Sequence, residues 1–402
     1  MTMSIIRLVT AAALACAASA ATAQVKKYDE GASDTEVKLG QTMPYSGPLS
    51  AHGIQGRSEV AYFKMLNETQ GGINGRKINL ISLDDAFSPP KTVEQTRKLV
   101  EQDGVLALFG SSGTAAQSAV QKYLNGKKIP QVLLSTGANK WNQPKLFPWS
   151  TPAFFLYGTE GEVLGRYVMK VKPDAKIAIL YQNDDFGKDY VAGFKKALGD
   201  KASTMIIKEV TYELSDPTLD SQVLALKNSD ADVFFNVSLG KATSQVYKKV
   251  YELNWKPLQL VVSPSTGRVF LEAAGLETVN GIIGATAYKQ FTSPRWANDP
   301  DVIAYKEFQK KYLPNDDPMN EIGFVTYSFA HVMAHIIRAS GDDLTRANLL
   351  KQAINLKNVP APALLPGTTY NTTPDDYVPF KRMQVQRFDG NDWVPLEDIT
   401  AE

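Results

Sequence analysis

The sequence predicts an α/β protein built from two doubly wound, Rossmann-like lobes with a central cleft. Three observations predict it. Short apolar runs alternate with amphipathic stretches in the order β-α-β-α-β-α-β over residues 36–135, at the spacing of a helix-covered parallel sheet. The same rhythm restarts near residue 158 and runs to about 287, without repeating the first half residue for residue. The chain is 402 residues long, which favours two domains.

Taken in order, residues 24–35 are polar and read as a loose lead-in. Residues 37–42 are the first strand, followed by a turn-rich loop, Pro44-Tyr45-Ser46-Gly47-Pro48. A helix over 54–67 carries apolar Val60, Ala61, Phe63, Met65 and Leu66. The glycine-rich turn at 71–75 leads into a strand at 77–83, which ends on Asp84-Asp85. Pro89-Pro90 opens the next helix in the favoured first-turn position, and that helix continues to Gln102. Residues 106–109 form a short apolar strand. A small-residue turn over 110–114 follows, then a helix from about Ala115, a strand at 131–134 and a loop at 135–140.

In the second half, helices are predicted over 158–171, 187–198, 217–227 and 241–253. Strands are predicted at 176–180, 205–210, 232–237, 258–262 and 281–287. Three further helices follow at 301–312, 322–339 and 344–353. The tail at 383–388 alternates like an edge strand and ends in the turn Gly390-Asn391-Asp392.

In doubly wound sheets the loops beyond the strands' carboxyl ends line the ligand crevice. Here those loops are 44–53, 110–114, 135–140, 182–187, 238–240 and 263–267, all short, small and hydroxyl-rich. The loop 110–114 is the most telling. Gly110 and Gly113 permit a sharp turn and close approach of backbone to a ligand. The first N–H groups of the following helix have no partner inside it, so a strand–turn–helix of this kind can cradle an anion. An ordinary βα turn with a Thr114 N-cap accounts for the same residues.

Composition narrows the class. Residues 1–23 read as an export signal: Arg7, an apolar run over 8–20 and Ala21-Thr22-Ala23 before Gln24. Cys16, the chain's one cysteine, lies within it, and Ala13 stands where a lipidation motif has a large aliphatic residue. The remaining chain of about 380 residues has no cysteine, so its core must hold it without disulfides. Without Arg7 the 43 basic residues fall to 42, matching the 42 acidic ones. A balanced charge gives no electrostatic case for nucleic acid or an anionic membrane.

No enzyme motif is found. Gly110-Ser111-Ser112-Gly113-Thr114 fails as a nucleophile elbow because position 114 is Thr. His331 and His335 stand at i, i+4, but Val332 occupies the place of the zincin glutamate, so no metal site is expected. Asp84-Asp85 and Asp184-Asp185 are paired acids at strand ends. They suit helix capping, or general acid–base chemistry if the chain were an exported hydrolase. Asn236-Val237-Ser238 and Asn371-Thr372-Thr373 match the glycosylation sequon.

Several blocks carry a family resemblance: PYSGPLSAHG at 44–53, NETQGGINGRKINLISLDD at 67–85, LFGSSGTAAQSAV at 108–120 and KIPQVLLSTGANKW at 128–141. KIAILYQNDDFGKDY at 176–190, SDADVFFNV at 229–237 and GDDLTRANLLKQA at 341–353 continue it. The chain resembles the periplasmic solute-binding proteins of ABC importers, in the branched-chain (leucine/isoleucine/valine-binding) family. The resemblance implies a type I binding-protein fold with three hinge crossings, near Pro152, Tyr288 and Leu365-Pro366-Gly367. Lobe one would be 34–154 with 287–363, and lobe two 155–286 with 364–402. It implies a periplasmic carrier without cofactor, expected to be a monomer, whose partners are a small carboxylate ligand and the membrane permease. A ligand-sensing ectodomain is the reading that differs only in partner.

The resemblance also implies site residues. Thr114, with its own N–H, falls where the ligand carboxylate is received. Gly137, Ala138 and Asn139 fall on the loop that brackets the ligand head, with Asn139 replacing a common Thr or Ser. Phe186 falls on the covering aromatic of lobe two, His52 on an aromatic wall, and Tyr157 just beyond the first crossing. Ser265 stands where the amino-acid binders carry the glutamate that meets the ligand ammonium. A buried ammonium without a carboxylate partner is costly. So either Asp184 or Asp185 replaces that glutamate, or the ligand lacks an ammonium. The second is favoured: a carboxylate with an apolar or aromatic body, with Phe154, Phe155 and Tyr157 available for stacking and Arg268 adding positive potential.

Overall fold

The computed structural model describes residues 26–401. The expected export signal at 1–23, with Arg7 and Cys16, lies outside the described residues. The described chain is α/β, with two large sheets flanked by helices and a two-stranded one beside them.

The first sheet is fully parallel, in the order β3 (Lys77–Asp84), β2 (Glu36–Met43), β4 (Ala107–Phe109), β5 (Gln131–Leu134), β6 (Ser150–Pro152). The second holds β8 (Ile206–Tyr212), β7 (Ile177–Gln182), β9 (Val233–Val237), β10 (Leu258–Val261) and β11 (Ile283–Thr286), also parallel. An antiparallel pair, β13 (Arg382–Phe388) and β14 (Trp393–Thr400), completes that sheet beyond β11. In chain order the two parallel sets share one pattern: the first strand lies between the second and the third. The order therefore reverses beside β2 and beside β7, where ligands bind in open α/β sheets.

The sequence explains the layering. Parallel strands covered on both faces read as continuous apolar runs. Every residue of β4 and of β9 is buried. Buried Leu39, Phe63, Phe109 and Val132 belong to the same core as Phe235 and Leu260 of the second sheet and Phe194 of a helix that covers it. The long helix Ile322–Ser340 is apolar on most faces and packs on Ile54–Gln70 of the first sheet, burying Phe324, Phe329, Val332, Met333 and Ile336.

Three segments differ from their sequence reading. Residues 24–35 are not a loose lead-in throughout: β1 (Lys27–Tyr28) pairs in parallel with β12 (Asp343–Leu344). Buried Arg76 fastens this corner, donating to Tyr28 Oη at 2.8 Å and pairing with Asp342 at 2.6 Å. Residue 344 therefore ends a strand, and the helix is Arg346–Ala353. At the C-terminus β13 is an interior strand and β14 is the edge, with Pro395 beside a register shift. Strand edges and bulges tolerate proline.

The chain passes between the sheets after Pro152 and twice more at adjacent segments. Lys289 N–H donates to Ala363 O at 2.7 Å and Leu365 N–H to Ala287 O at 2.9 Å, so these two segments run side by side. Phe155, Tyr288 and Phe380 pack around them. Among the described residues no helix is long and apolar enough to cross a membrane.

Candidate functional site

A cavity of ≈160 Å³ opens between the two sheets, lined from both. It lies at the carboxyl ends of the strands. Its polar pole is the turn after β4. Gly110 (φ 68) and Gly113 (φ 97) hold left-handed conformations. A Cβ would stand 2.5 Å from Glu59 Oε1 at Gly110, and 2.4 Å from the Phe87 ring at Gly113. These two positions therefore need glycine for both conformation and space. Ser111 Oγ accepts from Thr42 N–H at 3.2 Å, and Gln117 Nε2 donates to Ser112 O at 3.1 Å, which fixes the turn. The helix Thr114–Gly126 begins here with Gly113 as N-cap and no capping side chain. Thr114 starts the helix rather than capping it. The leading N–H groups and the positive end of the helix face the cavity lining formed by Ser112, Gly113 and Thr114.

The Thr114 hydroxyl is oriented from behind. Thr136 Oγ1 lies 2.7 Å from Thr114 Oγ1. It also accepts from the Trp141 indole N–H at 3.2 Å and from Tyr157 Oη at 3.4 Å. An indole N–H only donates, and a hydroxyl has two acceptor sites and one proton. With Trp141 and Tyr157 donating to it, Thr136 can give its own proton to Thr114, which lets the Thr114 proton turn to another acceptor. Burial pushes the Tyr157 phenol above its ordinary range, so it stays a neutral donor.

Aromatic and aliphatic side chains form the walls. Tyr157 stacks on Tyr190 with ring centres 4.8 Å apart, and Phe186 meets Tyr157 edge-on at 5.0 Å. Phe154 stacks on Phe329 at 6.0 Å. Leu49, Phe87, Leu239, Ile322 and Val325 complete the apolar lining.

His52, Thr114, Tyr157 and Phe186 come together on the cavity. Gly137, Ala138, Asn139 and Ser265 are not among its lining residues. Gly137 O accepts Tyr157 N–H at 2.6 Å, so that loop seats the tyrosine. Ala138 is buried, and Asn139 Oδ1 accepts Gly158 N–H at 3.1 Å while its own N–H donates to Asp189 at 2.7 Å. Ser265 is turned inward, donating to Ser238 O at 2.6 Å beside Thr243 Oγ1. Arg268 is drawn off by Glu272 at 2.7 Å and Asn391 O at 2.9 Å.

Two carboxyls line the cavity, Asp184 and Glu321. Asp184 caps its helix, accepting from Gly187 N–H at 3.3 Å and Gln182 Nε2 at 2.7 Å. Glu321 accepts from Thr292 Oγ1 at 2.6 Å and from Arg268 N–H at 3.4 Å. Burial raises both above the usual carboxylate range. Asp185 points away, paired with Lys140 at 2.8 Å. The Lys289 ammonium, another lining residue, is held by Asp299 at 2.9 Å and Asp301 at 3.0 Å.

Glu321, Gln55 and Thr136 are contributors that sequence reasoning missed. Gln55 sits on a helix and Glu321 at the N-cap of one, with no motif around either, and Thr136 is one hydroxyl in a loop of several. The remaining candidates have local partners. Asp84 accepts from Ser46, Ala86 N–H and Lys91; burial opposes these bonds, but they prevail and hold it below the usual range. Asp85 accepts from Phe87 N–H and Thr92. His331 packs between Tyr62 and Tyr327. Asn236 of the first sequon is buried in β9. Among the described residues no group of three or more His, Cys, Asp or Glu is gathered to hold a metal.

The model of a family described as periplasmic binding protein matches residues 36–392. A relative from Brucella abortus, named Leu/Ile/Val-binding protein homolog 7, is 23% identical over 339 residues, covering 81% of this chain and 82% of its own. A branched chain amino acid ABC transporter protein from Thermus thermophilus with bound valine superposes with a TM-score of 0.81 at 17% identity, covering 92% of this chain and 98% of that one. A solute binding protein of an ABC transporter from R. palustris, in complex with benzoate, superposes with a TM-score of 0.75 at 19% identity, covering 91% and 98%. At such identities the likeness to the two structures is one of fold.

Proposed function

The chain belongs to the periplasmic binding protein family, and from that premise we propose that it captures a small carboxylate with an apolar or aromatic body. It would then deliver that solute to the membrane permease of an ABC importer. The observation that carries this reading is the cavity's polarity. One pole offers the uncapped helix start and the free Thr114 proton, and the walls are aromatic and aliphatic. The cavity is close in size to the roughly 150 Å³ apolar cavity that takes up one benzene. The two lining carboxyls are already engaged by local donors, which supports a ligand without an ammonium.

The sheets support a division into lobe one, 34–154 with 287–363, and lobe two, 155–286 with 364–402. The lobes would close on the solute by bending at the three crossings. His52 against Phe270, Lys140 with Asp185 and Asn139 with Asp189 are the contacts that closure would make between them. A branched-chain amino acid is the second reading. Asp184 and Glu321 favour it as carboxyls able to meet an ammonium, and the Brucella relative's name agrees with it.

Thermal denaturation with a panel of aliphatic acids, aromatic acids and amino acids tests the proposal. A tight ligand at a hundredfold excess over Kd raises the unfolding free energy by roughly 2.7 kcal/mol. Stabilisation by acids lacking an amino group supports the first reading. Stabilisation by leucine or valine alone supports the second, and no response to any of them contradicts both.

A further inference from the structure

Three polar atoms on one turn of chain have no hydrogen-bond partner among the described residues. Both ring nitrogens of His52 are buried and unpaired, as is Oε1 of Gln55. Each side chain is 7% exposed, and each lines the cavity. They sit three residues apart where the short 3₁₀ turn Ser50–Gly53 runs into the helix Ile54–Gln70. The His52 ring is held against Phe270 at 5.5 Å, and the Gln55 backbone carbonyl accepts from Thr326 at 3.2 Å.

Buried polar groups in native proteins are almost always hydrogen-bonded, because leaving one unmet is costly. A ligand group beside this turn would supply a partner that these atoms lack. Burial pulls the His52 imidazole down to about 4, so it is neutral at pH 7. A neutral imidazole offers one donor and one acceptor, and an amide oxygen offers an acceptor. A hydroxyl fits between the two side chains: it accepts from an imidazole N–H and donates to the Gln55 amide oxygen.

We infer that the ligand carries a neutral hydroxyl in addition to its carboxylate, and that His52 and Gln55 read it. The inference rests on the carboxylate reading above and narrows it to a hydroxy acid, the acid held at Thr114 and the hydroxyl at His52 and Gln55. Sites built to bond a ligand hydroxyl reject the analogue lacking it, because the protein's own groups are then left unmet.

Isothermal titration of the wild type tests it with benzoate, phenylacetate and 3-phenylpropanoate, each beside its ring-hydroxylated forms. At least one hydroxylated acid is expected to bind roughly tenfold or more tightly than its parent. In His52→Phe and in Gln55→Met, the ratio of the two Kd values is expected to fall to within about threefold. A measurement free of variants accompanies these. The chain has three histidines, so the His52 ¹⁵N imidazole signals can be followed, and the hydroxylated acid is expected to shift them more than its parent does. Equal affinity of parent and hydroxylated acids, with unmoved His52 signals, overturns this inference and leaves the carboxylate reading standing. No binding of these acids, nor of any acid in the thermal panel above, overturns both.

Discussion

Thr136, which does not line the cavity, holds its hydroxyl oxygen 2.7 Å from that of Thr114. Because the Trp141 N–H and the Tyr157 hydroxyl donate to Thr136, Thr136 can donate to Thr114 and the Thr114 proton can turn towards the solute. Replacing Thr136 by Val removes an acceptor from two buried donors. The expected cost is about 1–3 kcal/mol of stability, read from urea unfolding, with a several-fold loss of acid affinity. Unchanged stability contradicts the arrangement.

Thr114→Val keeps the shape of the side chain and removes its proton. A hydrogen bond to a charged group contributes about 1.5–3 kcal/mol, so acid affinity is expected to fall roughly 10- to 150-fold. Stability is expected to fall by about 1–3 kcal/mol as well, because the buried Thr136 hydroxyl loses its acceptor. Calorimetric titration beside a melting curve separates the two effects.

Gly113 has a positive φ of 97°, and a Cβ there would meet the Phe87 ring at 2.4 Å. Gly113→Ala is expected to destabilise the protein by more than about 1 kcal/mol and to weaken binding by moving the helix start. A melting point equal to that of the wild type sinks this reading of the turn.

Glu160 is buried beneath the cavity loop, accepting from Ser263 N–H at 2.5 Å, Ser263 Oγ at 2.8 Å and Tyr190 Oη at 2.7 Å. Burial pushes its carboxyl up to about 7, outweighing those three bonds. The folded state thus keeps a proton that the unfolded chain gives up near pH ~4.5. The Glu160 contribution to stability is full below that pH and is lost as pH rises to about 7, by roughly 3 kcal/mol at most. Glu160→Gln, which imitates the protonated acid, is expected to flatten the stability profile over that window. Parallel wild-type and variant profiles from urea unfolding contradict the assignment.

Lys140 and Asp185 pair at 2.8 Å with both side chains partly exposed. Such pairs contribute about 0.2–1 kcal/mol and are weakened by salt. If they help hold the lobes shut, Lys140→Ala raises the ligand Kd by about two- to fivefold at low salt. The difference is expected to vanish at high salt, and titrations at two ionic strengths read it.

Much of the architecture was legible in the chain. Short runs rich in β-branched and aromatic residues, such as Val233–Val237, read as covered strands, and proline and glycine mark the breaks between elements. The pairing of Lys27–Tyr28 with Asp343–Leu344 was not, because two short polar segments far apart in sequence carry no periodicity. Strand β14 was hidden by its charges and Pro395, as befits an edge. Thr114 stood out because small residues follow an apolar strand. Thr136, Gln55 and Glu321 did not, because their roles depend on what folding brings beside them. Ser265 shows the converse: it has the expected place in the chain, but its hydroxyl turns towards Ser238 and Thr243.

A crystal structure of the protein with its bound solute tests the central claim most directly. The account predicts a carboxylate within hydrogen-bond distance of Thr114 Oγ1 and the backbone N–H groups of residues 113–115, with the body of the solute against Tyr157, Phe186 and Phe154. A solute lodged outside the gap between the sheets, or one that turns an apolar end towards Thr114, contradicts it.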